Sequence, residues 1–271
     1  MPELPEVETT RRGLEALIVN RKVIGVHVHN RSLRWPVPHG LNRTLTGQTV
    51  HEIRRRSKYL LVSLSHGTLI IHLGMTGHLR VIPVAEPRRK HDHVEILLDD
   101  ERALRYNDSR RFGAILWTRD NPLEHPLLKD LGPEPFSENF TADYLLQRSN
   151  GRVVAVKPFL MDARTVVGVG NIYASEALFR AGIDPRRAAG KITATNWRHL
   201  VAAVREVLAE AIEAGGTTIR DFANSTGEPG YFRISLRVYD RTGEPCAACG
   251  APIKQVRLGQ RSTYFCGTCQ R

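Results

Sequence analysis

The sequence has few cysteines and no long apolar run. Its four cysteines all lie after residue 245, so no disulfide framework holds the rest of the chain, and we expect a reducing compartment. The longest apolar stretches, such as residues 59–64, are far shorter than the roughly 18 residues of a membrane-spanning helix. The N-terminus carries acidic residues where a signal peptide carries basic ones. These absences predict an intracellular protein without a membrane anchor.

The charge of the chain is unbalanced towards basic residues. The 271 residues include 39 Lys and Arg against 28 Asp and Glu, which gives a formal net charge of +11. Of the basic residues 32 are arginine, whose planar guanidinium suits phosphates and base edges better than a lysine ammonium does. The excess favours an anionic partner and nucleic acid in particular, although a soluble basic protein without such a partner has the same composition.

The hydrophobic period changes along the first 140 residues. Residues 4–18 have the apolar spacing of an amphipathic helix. From about residue 22 to residue 119, short runs of Val, Ile, Leu and Tyr are separated by turn residues, which predicts an antiparallel sandwich or barrel. Residues 120–140 are rich in Pro, Asn and Glu and predict a linker.

Beyond the linker the period is helical. Thr141 is a candidate cap for a helix ending at Arg148, and a second helix is predicted from Asn171 to Gly182. The strongest helical pattern covers residues 197–214. The Gly- and Pro-rich stretch that follows, residues 215–231, is long enough for a functional loop.

The C-terminus contains a paired cysteine motif. Two CxxC pairs are separated by sixteen residues, and their members are Cys246, Cys249, Cys266 and Cys269. Four thiolates around one tetrahedral ion leave no position open for water, so the spacing predicts a structural zinc site; an iron-sulfur cluster and redox thiols are the alternatives. Arginines surround the motif, as in a zinc-braced hairpin that presents them to nucleic acid.

The N-terminus is a candidate nucleophile. Removal of the initiator Met leaves Pro2 as a free secondary amine, and an α-amino group titrates near pH 8, roughly two units below lysine. A helix N-terminus lowers that pKa further. Attack on a sugar C1′ or on an aldehyde gives an iminium that cannot lose its charge by shedding an N–H, and Glu3 can act beside it as a general acid or base. The alternative is an inert helix cap.

Other polar motifs leave more than one interpretation open. His91 and His93 in KHDH are predicted to alternate along a strand, which is a weak metal pattern. In GVGNIY, a helix starting near Asn171 offers backbone N–H groups to a phosphate, whereas a dinucleotide site is disfavoured because the spacing is not GxGxxG. Lys58 fits a solvated strand edge, and Met75 and Phe112 fit a hydrophobic core.

A series of motifs occurs in one order along the whole chain: MPELPEVET, RRRSKYL, IIHLGMTGHLR, KHDHVE, YNDSRRFGAI, LGPEP, VVGVGNIYASEALFRAGIDP, GGTT with GYF, and the four-cysteine module. Together they resemble the bacterial formamidopyrimidine-DNA glycosylases. The resemblance implies an α+β multidomain fold. It comprises an N-terminal helix and antiparallel β-sandwich (1–131), a linker (132–140), a helix-two-turns-helix domain (141–232) and a zinc-finger β-hairpin (233–271). Within the helical domain, residues 217–231 match the lesion-capping loop.

The resemblance also implies an activity. A bifunctional base-excision repair enzyme would remove oxidised purines, such as 8-oxoguanine and formamidopyrimidines, from duplex DNA and cleave the abasic site by β,δ-elimination. Pro2 matches the Schiff-base nucleophile and Glu3 the proton donor to the leaving base. Lys58 and Arg261 match the donors for β- and δ-elimination, although an always-protonated arginine suits an electrostatic role better. One structural Zn²⁺ is implied per chain.

DNA contacts follow from the same resemblance. Met75, Arg110 and Phe112 match residues that fill the void left by the flipped base, consistent with wedges that unstack a duplex. The remaining matched DNA contacts are His72, His91, Arg152 and Asn171, with Arg152 standing where the family often has lysine. The implied partner is double-stranded DNA with oxidised purines or abasic sites, bound by a monomer in the bacterial cytoplasm at the nucleoid.

Two alternatives remain. An endonuclease VIII-like enzyme would prefer oxidised pyrimidines, but the PELPEVET opening, rather than a PEGPE-type opening, and the set Met75, Arg110 and Phe112 argue against it. A non-catalytic DNA-binding zinc protein would need the finger and helices without a free amine at Pro2.

Overall fold

The computed structural model describes residues 2–215 and 236–271. They divide into two compact units, residues 2–129 and residues 130–214 with 236–271. The predicted lesion-capping loop at 217–231 lies outside the described residues. No helix in the described part of the chain is long and apolar enough to cross a membrane.

The first unit consists mainly of antiparallel strands. Its elements are α1 (Leu4–Ile18), β1 (Val23–Val28), α2 (Leu41–Leu45), β2 (Val50–Arg56), β3 (Tyr59–Leu64), β4 (Gly67–His72), β5 (His78–Pro83), β6 (Asp92–Leu98), β7 (Arg102–Asn107), β8 (Ala114–Thr118) and a 3-10 turn at Pro122–Glu124. The strands form two sheets with the orders β1-β6-β7-β5 and β2-β3-β4-β8. The sandwich predicted for this region is confirmed.

The core of the first unit joins both sheets to α1. Helix α1 contributes Val7, Leu14 and Ile18, and each is at most 1% exposed. These positions recur on one helical face, as the sequence pattern predicts. Burial of each such side chain stabilises the fold by about 1.5–3 kcal/mol, so the core holds both ends of α1 against the sheets.

One end of the second sheet collects segments that carry or adjoin sequence-predicted site residues. Strands β2 and β3 are joined by a two-residue turn, Ser57 and Lys58, in which Ser57 has a φ of 57°. Tyr59 at the start of β3 pairs with His72 at the end of β4, and His72 pairs with Ala114 at the start of β8. The turn and the segments that follow β4 and precede β8 therefore meet at the same sheet end.

The second unit is helical and ends in a hairpin. Its elements are α3 (Ala142–Ser149), α4 (Val156–Met161), α5 (Asn171–Arg180), a 3-10 turn at Ala189–Lys191, α6 (Ala194–Glu213), β9 (Lys254–Leu258) and β10 (Arg261–Phe265). Thr141 caps α3, as predicted, by accepting from Tyr144 N at 3.1 Å. Helix α6 begins three residues before the predicted start because Thr193 caps it, and its first buried residue is Trp197.

The predicted linker at 132–140 contains no helix or strand. It nevertheless packs against α6, because the Arg205 guanidinium donates to the carbonyls of Pro135, Ser137 and Phe140 at 2.9–3.0 Å. Phe140 is fully buried. Proline-rich composition indicated the lack of regular structure but not this attachment.

Candidate active site and nucleic-acid interface

The first residues of the chain are held by the start of α1. Pro2 and Glu3 are buried, and Glu3 is only 3% exposed. The Glu3 backbone N–H donates to Glu6 Oε2 at 2.8 Å, and Pro5 occupies the first helical turn. Chain termini are usually poorly ordered unless they are tied down. Here the start of α1 and the hydrogen bond from Glu3 N to Glu6 tie down the residue that directly follows Pro2, the candidate nucleophile.

The turn that carries Lys58 is connected to α1 through one arginine. Arg55 Nε lies 3.2 Å from Glu8 Oε2, and Arg55 Nη1 donates to the Ser57 carbonyl at 3.0 Å. Lys58, the next residue, is partly buried. The same guanidinium therefore links the helix that starts beside Pro2 to the hairpin turn that holds Lys58.

His72 is a neutral group near Lys58. Its ring lies 4.8 Å from the Tyr59 ring, and its Nδ1 accepts from Gly74 N at 3.1 Å. Burial, followed by the charges of Lys58 and Arg34, lowers the pKa of His72 to about 4. In the protein without DNA, this side chain is therefore an uncharged hydrogen-bonding group at neutral pH.

Two loops present the three matched void-filling residues. Met75 is partly buried in the segment between β4 and β5, whereas Phe112, just before β8, is 44% exposed. The Arg110 guanidinium lies 4.8 Å from the centre of the Phe112 ring. The core interpretation of Phe112 is therefore wrong, because its ring projects outside the sandwich under a cation.

An arginine that the sequence did not single out extends this surface. An open depression of about 440 Å³ is lined by Ser32, Arg34, Arg110, Arg111 and Phe112. The Arg34 guanidinium also lies over the ring of Trp35 at 5.0 Å. Several guanidinium groups beside an exposed ring attract a phosphate backbone and offer faces for base stacking. The motif RSLRW contains both residue types, but no spacing rule marks it as a site.

The two histidines of KHDH do not alternate along a strand. His91 precedes β6 and has a φ of 74°, whereas His93 is buried in β6 with Nε2 2.7 Å from the Asp108 carbonyl. Only the four cysteines, among the residues described, form a group of three or more metal-ligating side chains. This geometry leaves His91 partly exposed for a contact and gives His93 a structural hydrogen bond.

The start of α5 is organised by a buried lysine. Asn171 is the first residue of α5, as predicted, and its Oδ1 accepts from Lys157 Nζ at 2.6 Å. Nζ also donates to the Ser262 carbonyl at 3.0 Å and to Thr263 Oγ1 at 2.9 Å. Because lysine only donates, Oδ1 faces Lys157 and the Asn171 NH₂ group points elsewhere. The sequence clue was a lysine within the apolar segment VKPFLM.

The two remaining matched arginines are both exposed. Arg261 begins β10 opposite Leu258, next to the Ser262 carbonyl that Lys157 binds. The structure thus places Arg261 near Asn171. Arg152 lies before α4, where its backbone bonds to Ser149 and Gly190 at 2.9 Å.

The four cysteines meet at one point near the C-terminus. Their Sγ atoms all lie within 4.8 Å of one another, with Cys246 and Cys269 at 3.9 Å and Cys249 and Cys266 at 3.5 Å. These separations are too long for disulfides, which are about 2.05 Å. Four thiolates about 2.3 Å from a tetrahedral zinc would be about 3.8 Å apart. The donor set therefore fits zinc.

The finger is anchored to α5 by an acidic residue that the sequence did not reveal. Glu176 is 5% exposed, and its carboxylate accepts from the backbone N–H groups of Arg237, Val238 and Tyr239 at 2.9–3.0 Å. Phe179, one turn further along α5, packs against the finger core around Val238. The only sequence clue was a glutamate in the middle of a helix that is mostly apolar.

Family models match most of the chain. Residues 1–115 match the formamidopyrimidine-DNA glycosylase N-terminal domain, residues 131–223 match the H2TH domain of the same enzymes, and residues 243–271 match the zinc finger found in FPG and IleRS. The chain belongs to the formamidopyrimidine-DNA glycosylase family. It is therefore a DNA glycosylase and abasic-site lyase with a structural zinc finger, and the resemblance inferred from the motifs is confirmed.

Individual relatives match this chain over its full length or nearly so. The formamidopyrimidine-DNA glycosylases of Methylococcus capsulatus and Stutzerimonas stutzeri are each 56% identical to this chain, with complete coverage of both sequences. The crystal structure of the Fpg protein of Thermus thermophilus has a TM-score of 0.89 at 39% identity, covering 99% of this chain and 98% of that one. The Lactococcus lactis Fpg complex with abasic-site DNA has a TM-score of 0.91 at 36% identity, covering 99% of each chain.

Proposed function

We propose that this chain, acting as a monomer, excises oxidised purines from duplex DNA through a Schiff base on Pro2 and then cleaves the abasic strand by β,δ-elimination. The observation that carries the proposal is the burial of Pro2 and Glu3 at the start of α1. The substrate class is supported by a solved relative in complex with carbocyclic 8-oxo-G containing DNA, which has 36% identity and a TM-score of 0.91.

The first chemical step uses the lone pair of the Pro2 nitrogen, which is free once Met1 is removed. It forms a bond to C1′ as the bond from C1′ to the base breaks, and Glu3 supplies a proton to the departing base. The adduct then passes its N–H proton to the Glu3 carboxylate. The C1′–O4′ bond breaks as O4′ takes up a proton, which opens the sugar ring and leaves an iminium between C1′ and the Pro2 nitrogen that keeps its charge. That charge stabilises loss of the 2′ proton with departure of the 3′ phosphate, and the 5′ phosphate leaves in the following elimination.

Two basic residues assist the eliminations. Lys58 serves as proton donor in the β-elimination, supported by its place in the turn that Arg55 connects to α1. Arg261 stabilises the phosphate that leaves in the δ-elimination, because a guanidinium remains protonated and acts through its charge. The exposed position of Arg261 at the start of β10 suits contact with a phosphate.

The remaining residues hold the DNA. Met75, Arg110 and Phe112 enter the space that the everted base leaves, supported by the exposed stack of Arg110 on Phe112. The residues assigned to further DNA contacts are His72, His91, Arg152 and Asn171. Since several contacts displace counterions from phosphates, binding weakens steeply with salt.

Borohydride trapping tests the nucleophile. Wild-type protein and two variants, one with a single residue added before Pro2 and one with the same residue added after Arg271, are incubated with a duplex containing 8-oxoguanine and reduced. We expect trapping of the wild type and the C-terminal variant only. Equal trapping of all three would refute the role of Pro2, and binding without trapping in every case would favour a non-catalytic DNA-binding protein.

A substrate comparison separates the two glycosylase types. We expect excision of 8-oxoguanine to exceed excision of thymine glycol, and the reverse order would indicate an endonuclease VIII-like enzyme. Because chromosomal DNA is the proposed substrate, we place the protein in the bacterial cytoplasm at the nucleoid, which imaging of a C-terminal fluorescent fusion tests.

A further inference from the structure

Asp108 is a buried carboxylate that bonds to both loops of the void-filling surface. It lies between β7 and β8 and has no exposed surface. Its Oδ1 accepts from the Thr76 hydroxyl at 2.6 Å, and its Oδ2 accepts from Gly113 N at 2.8 Å and from the Tyr106 hydroxyl at 3.1 Å. Thr76 directly follows Met75, and Gly113 directly follows Phe112.

Thr76 completes the connection between the loops. Its Oγ1 accepts from the Arg110 backbone N–H and from the Ser109 hydroxyl, both at 3.2 Å, while it donates to Asp108. The side chains of Asp108 and Thr76 therefore join three groups by hydrogen bonds. These groups are Thr76 itself, which follows Met75, the backbone N–H of Arg110, and Gly113, which follows Phe112. Neither loop can shift along the other without breaking these bonds.

Three glycines bring the two loops into close backbone contact. A Cβ on Gly113 would lie 1.7 Å from the Tyr106 hydroxyl, and one on Gly77 would lie 2.7 Å from the same oxygen. A Cβ on Gly74 would lie 2.4 Å from Gly113 N. Burial, together with the charge of Asp108 and its hydrogen bond, raises the pKa of Tyr106 well above its ordinary value, so this hydroxyl remains a donor.

The backbone of Asp108 reaches a third segment. Its N–H donates to the His91 carbonyl at 3.2 Å, and its carbonyl accepts from Arg111 N at 3.3 Å and lies 2.7 Å from His93 Nε2. One buried residue thus bonds to the three segments that carry the proposed void-filling residues and the proposed contact at His91.

We propose that Asp108 and Thr76 are positioning residues that hold Met75, Arg110 and Phe112 in one register, so that the three side chains enter the duplex together as the base is everted. This inference rests on the proposed function of those three residues. Eversion costs a few kcal/mol of lost stacking and pairing. Loops that were ordered only on insertion would add the cost of immobilising their side chains.

The test compares matched substitutions at each residue. Thr76→Val removes the hydroxyl at nearly constant shape, whereas Thr76→Ser retains it. Asp108→Ala removes every side-chain bond. Asp108→Asn can keep them in number. Its amide oxygen accepts from Gly113 N and the Tyr106 hydroxyl, and its NH₂ group donates to Thr76 Oγ1, whose own hydroxyl then donates to Ser109 Oγ.

Two substrates separate positioning from general damage. Excision of 8-oxoguanine from a duplex requires eversion, whereas borohydride trapping on a single-stranded abasic oligonucleotide does not. We expect Thr76→Val and Asp108→Ala to slow duplex excision by about 10- to 100-fold, the effect of misplacing active groups by about 1 Å, without reducing trapping. Thr76→Ser and Asp108→Asn should restore duplex excision to near the wild-type rate.

Several outcomes would overturn the inference. Wild-type duplex excision by Thr76→Val and Asp108→Ala would refute it, as would equal losses on both substrates in variants whose thermal unfolding matches the wild type. Met75→Ala and Phe112→Ala serve as reference variants. If both excise 8-oxoguanine normally, the proposed void-filling function fails as well; if both are impaired while Thr76→Val is not, only the positioning role fails.

Discussion

Lys157 Nζ lies 2.6 Å from Asn171 Oδ1, and the same ammonium binds Ser262 and Thr263 in the finger hairpin. A lysine that is 1% exposed is unusual unless it is paired, and here three oxygens take the place of water. This relationship orients the Asn171 amide and attaches the hairpin to the start of α5. It therefore couples two proposed DNA contacts, Asn171 and Arg261.

Lys157→Met keeps the volume of the side chain and removes its donors. The three oxygens lose a buried partner, so we expect the free energy of unfolding to fall by about 1–3 kcal/mol. We also expect weaker binding to duplexes of any sequence, since the contacts affected are to phosphate. Urea unfolding and fluorescence anisotropy measure these effects. Lys191→Met, at an exposed position, is the control, and unchanged binding by Lys157→Met would contradict the prediction.

The titration of His72 makes stability depend on pH. In the unfolded chain it takes up a proton near pH 6.5, but in the folded protein its pKa is about 4, because burial and nearby positive charges disfavour the imidazolium. The unfolded state therefore binds more protons between these values, and stability falls as pH drops from 6.5 to 4 by at most about 3 kcal/mol.

His72→Asn retains an acceptor for Gly74 N but does not titrate. We expect this variant to show a shallower loss of unfolding free energy between pH 6.5 and pH 4 than the wild type. Urea unfolding at a series of pH values, with His51→Asn at an exposed site as control, provides the comparison. Identical slopes for wild type and His72→Asn would show that the histidine is not held neutral.

Gly113 leaves no room for a side chain. The Cβ of Gly113→Ala would lie 1.7 Å from the Tyr106 hydroxyl and 2.4 Å from the His72 carbonyl. Because backbone has to move, we expect a loss of roughly 3 kcal/mol in unfolding free energy, the upper end for overpacked sites. Gly25→Ala, where the new Cβ meets only the end of Leu97 at 3.4 Å, should change stability little. Equal stability of the two variants in urea would contradict the packing seen around Tyr106.

Removal of the metal should unfold the finger and leave the β-sandwich folded. We expect one zinc per chain by elemental analysis, and a chelator or Cys266→Ser should abolish tight duplex binding, since the finger core is small and depends on the metal. Amide hydrogen exchange should show the strands of residues 23–118 still protected. Thr268→Ala, between two ligands, is the control. Retained tight binding without zinc would contradict the role of the finger.

Local pattern predicted much of the secondary structure. The apolar spacing of residues 4–18 specified α1, and the strand runs between residues 22 and 119 specified the sandwich, because period and turn residues are local properties. The prediction was wrong for the start of α6, where the capping residue Thr193 precedes a first turn without buried side chains. It was also wrong for His91, whose positive φ depends on the tertiary bonds around Asp92 and Asp108.

The sequence by itself determined the fold class, the zinc ligands and the family, because ligand spacing and the order of motifs are written along the chain. Only the tertiary structure decided which polar residues support the site. Thr76 and Asp108 are 32 residues apart, and Lys157 and Thr263 are 106 apart. No periodicity connects such positions. A buried donor or acceptor takes its partner from whatever segment the fold brings within about 3 Å, so these pairs become visible only when the chain is folded.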